Sequence, residues 1–259
     1  MSNEPVILVY HKVEAKREIG LTRISPESFR RQIEFLRSEG FTSISPYQLL
    51  DYLLHHRSPP ERSVIITFDD GYEGVYRFAR PILMENGFTA TIFLISEFVG
   101  NWNRWDVRLC GRFKHLSADQ ISEMSSDGFT FGSHGATHRF LTSYSGILRR
   151  FELERSRIKL ERVIGRRVDL LSYPYGDWNE DVVKSARRAG YRAAFTMNPF
   201  LPISAETIFS LPRISIYSFD TLESFRAKIG LGSQKLRLFL FGLNLMVNRC
   251  SHAGRLVHT

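Results

Sequence analysis

The chain predicts an α/β fold. Strand-length apolar runs alternate with helix-length segments along most of it. Several of the helical segments carry start or stop residues at their ends, and one apolar run stops abruptly on an acidic pair and a glycine. A repeated strand–helix order of this kind argues for a parallel sheet covered by helices.

Taken in order, residues 6–10 (Val-Ile-Leu-Val-Tyr) read as a buried strand. A helix near 26–39 follows, opened by Ser25 as N-cap with Pro26 in its first turn and closed by Gly40. A short strand 41–44 leads to a helix 46–56, and Pro59-Pro60 marks a loop before strand 63–68. Tyr72 to Asn86 reads as a helix stopped by Gly87, and 88–95 as the next strand. Residues 96–115 form a long connection containing Trp102 and Trp105. Long loops in compact domains are often functional, so both tryptophans are expected near a cleft or as anchors of the loop in the core. Helix 117–126, a strand at 129–131, helix 144–164 with Gly165 at its end, strand 168–173, helix 179–189 and strands 191–196 and 211–216 complete the body.

A chain of 259 residues is long enough for one large α/β domain with a sizeable core. Its apolar content of 43% and charged content of 24% are ordinary for a globular protein. The two cysteines, Cys110 and Cys250, fit neither a disulfide framework nor a zinc–cysteine cluster. They point to a reducing compartment. Met1 to Pro5 are polar and run straight into the first strand, and the expected location is cytoplasmic or peripheral on a membrane.

The net charge is +8, but residues 226–259 hold six Lys or Arg and no Asp or Glu, leaving the preceding 225 residues at +2. A near-neutral body argues against broad nucleic-acid binding. The tail also contains the twelve-residue run Leu236 to Val247, rich in apolar residues. That is too short to span a bilayer, which takes about twenty residues as a helix. Three readings stand: a helix packed on the body, a basic apolar segment resting on anionic lipid, or a partner-binding or disordered end.

Three motifs carry the chemistry. In Thr67-Phe68-Asp69-Asp70-Gly71 two carboxylates end the apolar run Val64-Ile65-Ile66. Side chains alternate along a strand, so the two leave its end in different directions; one can hold a metal while the other handles a proton. In Gly132-Ser133-His134-Gly135-Ala136-Thr137-His138 two histidines are four residues apart, a spacing that points both imidazoles one way on a compact turn. Two histidines and a carboxylate form a common set for zinc or another divalent ion, leaving positions open for water and substrate. In Ser172-Tyr173-Pro174-Tyr175-Gly176-Asp177-Trp178 a rigid Pro–Gly loop carries three aromatics, suited to sugar rings and to oriented backbone N–H groups.

Together these resemble the polysaccharide deacetylase family, carbohydrate esterases with the NodB-homology domain, over roughly residues 5 to 220. The resemblance implies an irregular (β/α)7 barrel for residues 1–220, with 221–259 a basic, helical C-terminal extension. It implies hydrolysis of an acetamide on an N-acetylglucosamine-containing glycan. Asp70, His134 and His138 would hold a divalent ion, zinc foremost, with Asp69 as general base and Pro174 and the Tyr175 backbone N–H at the oxyanion and substrate. The family's second motif carries a hydroxyl where this chain has Gly135, and its third carries an arginine where this chain has Ser172. Arg213, in Leu211-Pro212-Arg213, is expected to substitute for that arginine. The family's late general-acid histidine has no clear copy near the C-terminus, where Leu256-Val257-His258 ends the chain. His11, ending the first strand, matches instead a permuted subgroup acting on poly-N-acetylglucosamine. Two alternatives remain at this stage: an amidohydrolase of the same fold acting on a small non-sugar amide, and a catalytically silent glycan-binding module.

Overall fold

A computed structural model describes residues 4–16, 18, 20–103 and 112–253, with side chains as far as Asn248. Trp105, Cys110 and His258 lie outside the described residues, as does the side chain of Cys250. In chain order the strands are β1 (Val6–Tyr10), β2 (Lys12–Val13), β3 (Arg23–Ile24), β4 (Thr42–Ser43), β5 (Ser63–Phe68), β6 (Thr91–Leu94), β7 (Thr130–Ser133), β8 (Leu170–Ser172), β9 (Ala193–Phe195) and β10 (Ile214–Ser215). The α-helices are α1 (Pro26–Ser38), α2 (Pro46–Leu54), α3 (Arg80–Glu85), α4 (Ala118–Ser126), α5 (Gly146–Ile164), α6 (Glu180–Arg188), α7 (Leu222–Lys228) and α8 (Gln234–Ala253).

Seven strands run in the order β10-β1-β5-β6-β7-β8-β9, every neighbouring pair parallel. β4 pairs the first half of β5 on the edge that β6 takes in the second half. A parallel bridge between Phe195 and Leu211 then joins β9 to the segment that continues into β10, and the ring closes on β1. This is an irregular (β/α)7 barrel.

Alternation along the strands sets the two sides of the wall. Leu8, Tyr10, Val64, Ile66, Phe68, Ile92 and Leu94 join one apolar cluster with the helices α1, α3 and α4. Ile7, Ile65, Phe93, Leu170, Ala193, Phe195 and Leu211 form a separate cluster filling the barrel. Asp69 continues the inward row Ile65–Thr67 to the C-terminal mouth, where parallel barrels carry their chemistry.

Ser25 acts as the N-cap that the sequence suggests, accepting from the Ser28 N–H, and the structure adds a full capping box of Ser45 with Gln48. The expected helix 72–86 is present from Glu73 to Glu85, with Tyr72 taken instead into a bridge with His115 and a π-helical turn at Val75–Ala79 ahead of the α-helical Arg80–Glu85. Pro81 has no N–H and would crowd the carbonyl four residues back, and the widened turn before it removes that conflict.

The C-terminal helix α8 is packed on the barrel. Leu240 and Phe241 are buried, the Asn244 amide donates to the Ser215 carbonyl (3.1 Å), and Asn248 accepts from the Tyr217 hydroxyl (2.7 Å) and donates to the Met197 carbonyl (2.9 Å). On α7, buried Lys228 pairs with Asp220 (2.5 Å) and donates to the Ser215 carbonyl (2.9 Å). The opposite face of α8 leaves Leu238, Phe239 and Met246 exposed, Phe239 at 67%. Among the described residues no helix is long and apolar enough to cross a membrane.

Candidate active site

The barrel mouth gathers residues from five strand ends. Asp69 and Asp70 follow β5, His11 follows β1, His134 and His138 follow β7, Ser172 ends β8, and Arg213 precedes β10. Asp70, His134 and His138 each offer a ligand atom, all within 4.8 Å of one another and all buried. Asp70 Oδ1 lies 3.6 Å from His134 Nε2 and 3.3 Å from His138 Nε2. His134 Nδ1 is 2.8 Å from the Ser172 carbonyl, which can only accept, so Nδ1 carries the proton and the Nε2 lone pair faces Asp70. Burial holds both imidazoles below their ordinary pKa, His138 more strongly. Two neutral imidazoles and a carboxylate, converging and desolvated, suit a divalent ion with nitrogen and oxygen preference such as zinc.

Asp69 has a different environment. Arg213 is fully buried, with its guanidinium over the rings of Phe93 (5.5 Å) and Phe195 (5.9 Å). It grips Asp69 with two parallel bonds, Nη1 to Oδ1 and Nη2 to Oδ2, each 2.7 Å. Nη2 also donates to Ser172 Oγ (2.7 Å), Nε to the Thr196 carbonyl (3.0 Å) and Nη1 to Thr67 Oγ1 (3.3 Å). Ser172 Oγ in turn donates to Asp69 Oδ2 (3.1 Å). Burial alone would raise the Asp69 pKa; the Arg213 charge and its hydrogen bonds, with His134 and His11 adding, outweigh burial and hold the carboxyl well below the usual carboxylate range. A small serine at 172 and an arginine at 213 thus place a guanidinium against Asp69 from the closing strand.

Three site residues hold the left-handed backbone region: Asp70 (φ 69°), His138 (φ 58°) and Tyr175 (φ 59°). Such geometry in non-glycine residues concentrates where function over-determines the backbone. The Gly71 N–H bonds back to the Asp69 carbonyl (2.9 Å) across Asp70, the tight three-residue γ-turn of the rarer positive-φ kind. Gly71 is itself at φ 72°, and a Cβ there would meet Leu94 at 2.5 Å. The histidine loop is clamped by Glu152 of α5, whose Oε1 accepts from the N–H groups of Ala136 (3.0 Å) and Thr137 (2.6 Å) and from the Thr137 hydroxyl (2.9 Å). Gly135, in place of the family's hydroxyl residue, sits at φ 77° beside that carboxylate.

Tyr175 lies in the turn Pro174–Gly176, with its ring 4.5 Å from that of His138 and stacked on Phe140 at 4.2 Å. Pro174 is buried, and its Cγ is 3.5 Å from where a Cβ on Gly135 would stand, so the two motif loops touch. His11 Nδ1 is buried with no hydrogen-bond partner among the described residues. Burial lowers the His11 pKa to about 4, against the opposing pull of the Asp69 charge. Trp102 is half exposed and bridged to Lys114. Sequence reasoning assigned no role to Glu152 or to His115, which bonds the Asp70 carbonyl. Glu152 looks like one more helix charge, and His115 stands 45 residues from its partner.

The polysaccharide deacetylase family pattern matches residues 56–194, more than half of the chain. A poly-beta-1,6-N-acetyl-D-glucosamine N-deacetylase of Staphylococcus epidermidis is 26% identical over 245 residues, covering 85% of this chain and 82% of that protein. Among solved structures, IcaB from Ammonifex degensii superposes with a TM-score of 0.75 at 26% identity, covering 87% of this chain and 95% of that one. The Streptococcus pyogenes deacetylase PplD, solved with acetate, gives 0.73 at 25% identity, covering 83% and 93%. With the barrel, the paired aspartates and the two histidines in place, the chain belongs to the polysaccharide deacetylase family.

Proposed function

We propose that the protein is a metal-dependent hydrolase that removes N-acetyl groups from an N-acetylglucosamine-containing glycan, giving acetate and a free amine. The observation that carries this reading is the division of labour at the mouth: a three-donor cluster fit for a cation beside a carboxylate held ionised by Arg213. Asp70, His134 and His138 would hold the ion. When bound, a divalent ion such as zinc polarises the acetyl carbonyl and acidifies the attacking water. Asp69, ionised throughout the working pH range, takes a proton from that water. The Tyr175 backbone N–H serves as a donor to the developing oxyanion, with Pro174 fixing its turn. His11 protonates the amine as the C–N bond breaks. It starts neutral, so the proton it delivers is the one Asp69 takes from the attacking water, passed on during turnover.

The test is acetate release from defined N-acetylglucosamine oligomers, with simple acetamides in parallel, after chelation and after zinc is restored. Release from oligomers that stops on chelation and returns with zinc is the expected result. Turnover of simple amides alone would favour a non-sugar amidohydrolase. Glycan binding without release would leave a silent binding module.

We also propose that the outer face of α8 rests on an anionic membrane. Leu238, Phe239 and Met246 share that face beside exposed Lys235, and residues 226–259 carry no acidic side chain to oppose the contact. Flotation with phosphatidylglycerol vesicles, but not with phosphatidylcholine vesicles, is expected. Protein that floats with neither removes this location.

A further inference from the structure

The segment after the long connection is laced to the Asp69–Glu73 turn. The Leu116 N–H donates to the Gly71 carbonyl (2.9 Å), the Glu73 N–H to the Lys114 carbonyl (2.8 Å), and Tyr72 and His115 face each other in an antiparallel bridge. At the centre is His115, 2% exposed. Its ring stacks on Tyr72 (4.7 Å between centroids, 28° between planes) and leans on Phe98 (5.5 Å). Its Nδ1 lies 2.8 Å from the backbone carbonyl of Asp70. A carbonyl only accepts, so Nδ1 is the protonated nitrogen.

Asp70 is the middle residue of the strained γ-turn, and the direction of its Cα–Cβ bond follows the orientation of the peptides on either side. The preceding peptide contributes the Asp69 carbonyl, which accepts from the Gly71 N–H (2.9 Å), and one peptide earlier the Asp69 N–H donates to the Tyr10 carbonyl (2.9 Å). The following peptide includes the carbonyl that His115 engages. We propose that His115 is a positioning residue for the cation site: its Nδ1–H bond to the Asp70 carbonyl holds the turn that aims the Asp70 carboxylate at His134 and His138. The inference rests on Asp70 being a metal ligand. Groups that orient a ligand in this way typically change metal affinity by about 10- to 100-fold when removed.

Two substitutions separate positioning from packing. His115→Phe keeps a flat ring on Tyr72 and loses the donor. His115→Asn loses the ring and keeps an N–H donor at nearly the same reach. The full chain is stripped with a chelator and titrated with zinc against a chromophoric competitor, and its melting temperature is recorded without metal. The visible absorption of the cobalt-loaded protein reports the ligand geometry directly. Both variants are expected to melt lower than wild type. His115→Phe should bind zinc about 10- to 100-fold more weakly, with an altered cobalt spectrum; His115→Asn should return both close to wild type. A Phe variant with wild-type zinc affinity, or an Asn variant that loses as much as Phe, overturns the proposal while the cation site stands. A wild-type chain that binds neither zinc nor cobalt removes the cation site, and this role with it.

Discussion

Asp69 and Asp70 are neighbours of identical chemistry placed in opposite situations. Asp69 is saturated: both oxygens are held by Arg213, and one also by Ser172, as the inward row of β5 ends at the barrel mouth. Asp70 turns away through a left-handed backbone and offers Oδ1 to two imidazoles. One carboxylate is stabilised as a charge by a fixed cation of the protein, and the other stands in the proposed cation site. An aspartate bound bidentately to a buried guanidinium makes a poor metal ligand, and one held in a strained turn between histidines makes a poor base. The contrast arises because a strand end sends successive side chains to different sides, and because Ser172 leaves room for Arg213.

The comparison breaks most visibly at the ligands. Asp70→Asn, His134→Ala or His138→Ala should abolish zinc binding and acetate release together. Asp69→Asn should bind zinc as wild type while turnover falls on the order of 10²- to 10⁴-fold, the usual range for a positioned base. Metal content alongside kcat checks both; an Asp69→Asn enzyme with undiminished kcat would end the assignment of the base.

His11 is the next largest effect. His11→Ala should keep the metal and slow amide cleavage by about 10²- to 10³-fold. An activated acetyl ester, whose leaving group departs without a proton, should be hydrolysed at near wild-type rate. Equal losses on amide and ester would take His11 out of the protonation step.

Arg213 tests the Asp69 side directly. Arg213→Ala strands a buried charge, and breaking a buried pair of this kind costs about 3–5 kcal/mol. Without the guanidinium, burial raises the Asp69 pKa, so the acid limb of the kcat profile should move to higher pH. Arg213→Lys restores the charge but not the two parallel bonds, and should recover stability better than rate. Unchanged turnover in Arg213→Ala would remove Arg213 from the site's chemistry.

Which of these groups can be read from the chain depends on how local the physics is. The Asp pair and the two histidines announce themselves through spacing, and the alternating pattern carries the parallel α/β order, while the barrel comes from the family resemblance. Arg213 could be suspected from Leu211-Pro212-Arg213, but only the closure of β10 against β1 brings it across to β5, 144 residues away. His115 and Glu152 leave no local trace: their roles depend on hydrogen bonds to backbone atoms of distant loops. The helix expected from Tyr72 begins one residue late because Tyr72 is claimed by the 114–116 segment, and its middle widens into a π-turn ahead of Pro81. Segments whose partner is a neighbour in sequence are legible; segments whose partner is another loop are not.

The smallest expected effect separates the two sides by pH. His11 has its pKa lowered from 6.5 to about 4, and His134 and His138 are lowered as well. Between pH 6.5 and about 4 the unfolded chain therefore binds protons that the native chain refuses, and stability falls as pH falls. For His11 alone the full loss is about 3 kcal/mol, reached near pH 4. Asp69 works in a lower window: its native pKa lies below its unfolded value near 3.8, so its contribution is intact above that value and drains only as pH drops further. Urea midpoints of chelated protein at pH 7.5, 6.5, 5.5 and 4.5 should fall steadily through the histidine window, and His11→Gln should flatten part of that slope. Arg213→Ala should lower the midpoint at every one of these pH values, since the pair it breaks is intact at all of them. If the histidine window is flat in the wild type and the loss begins only below pH 4, the imidazoles at the mouth are not held neutral by burial, and the contrast between the two aspartates loses its nitrogen partners.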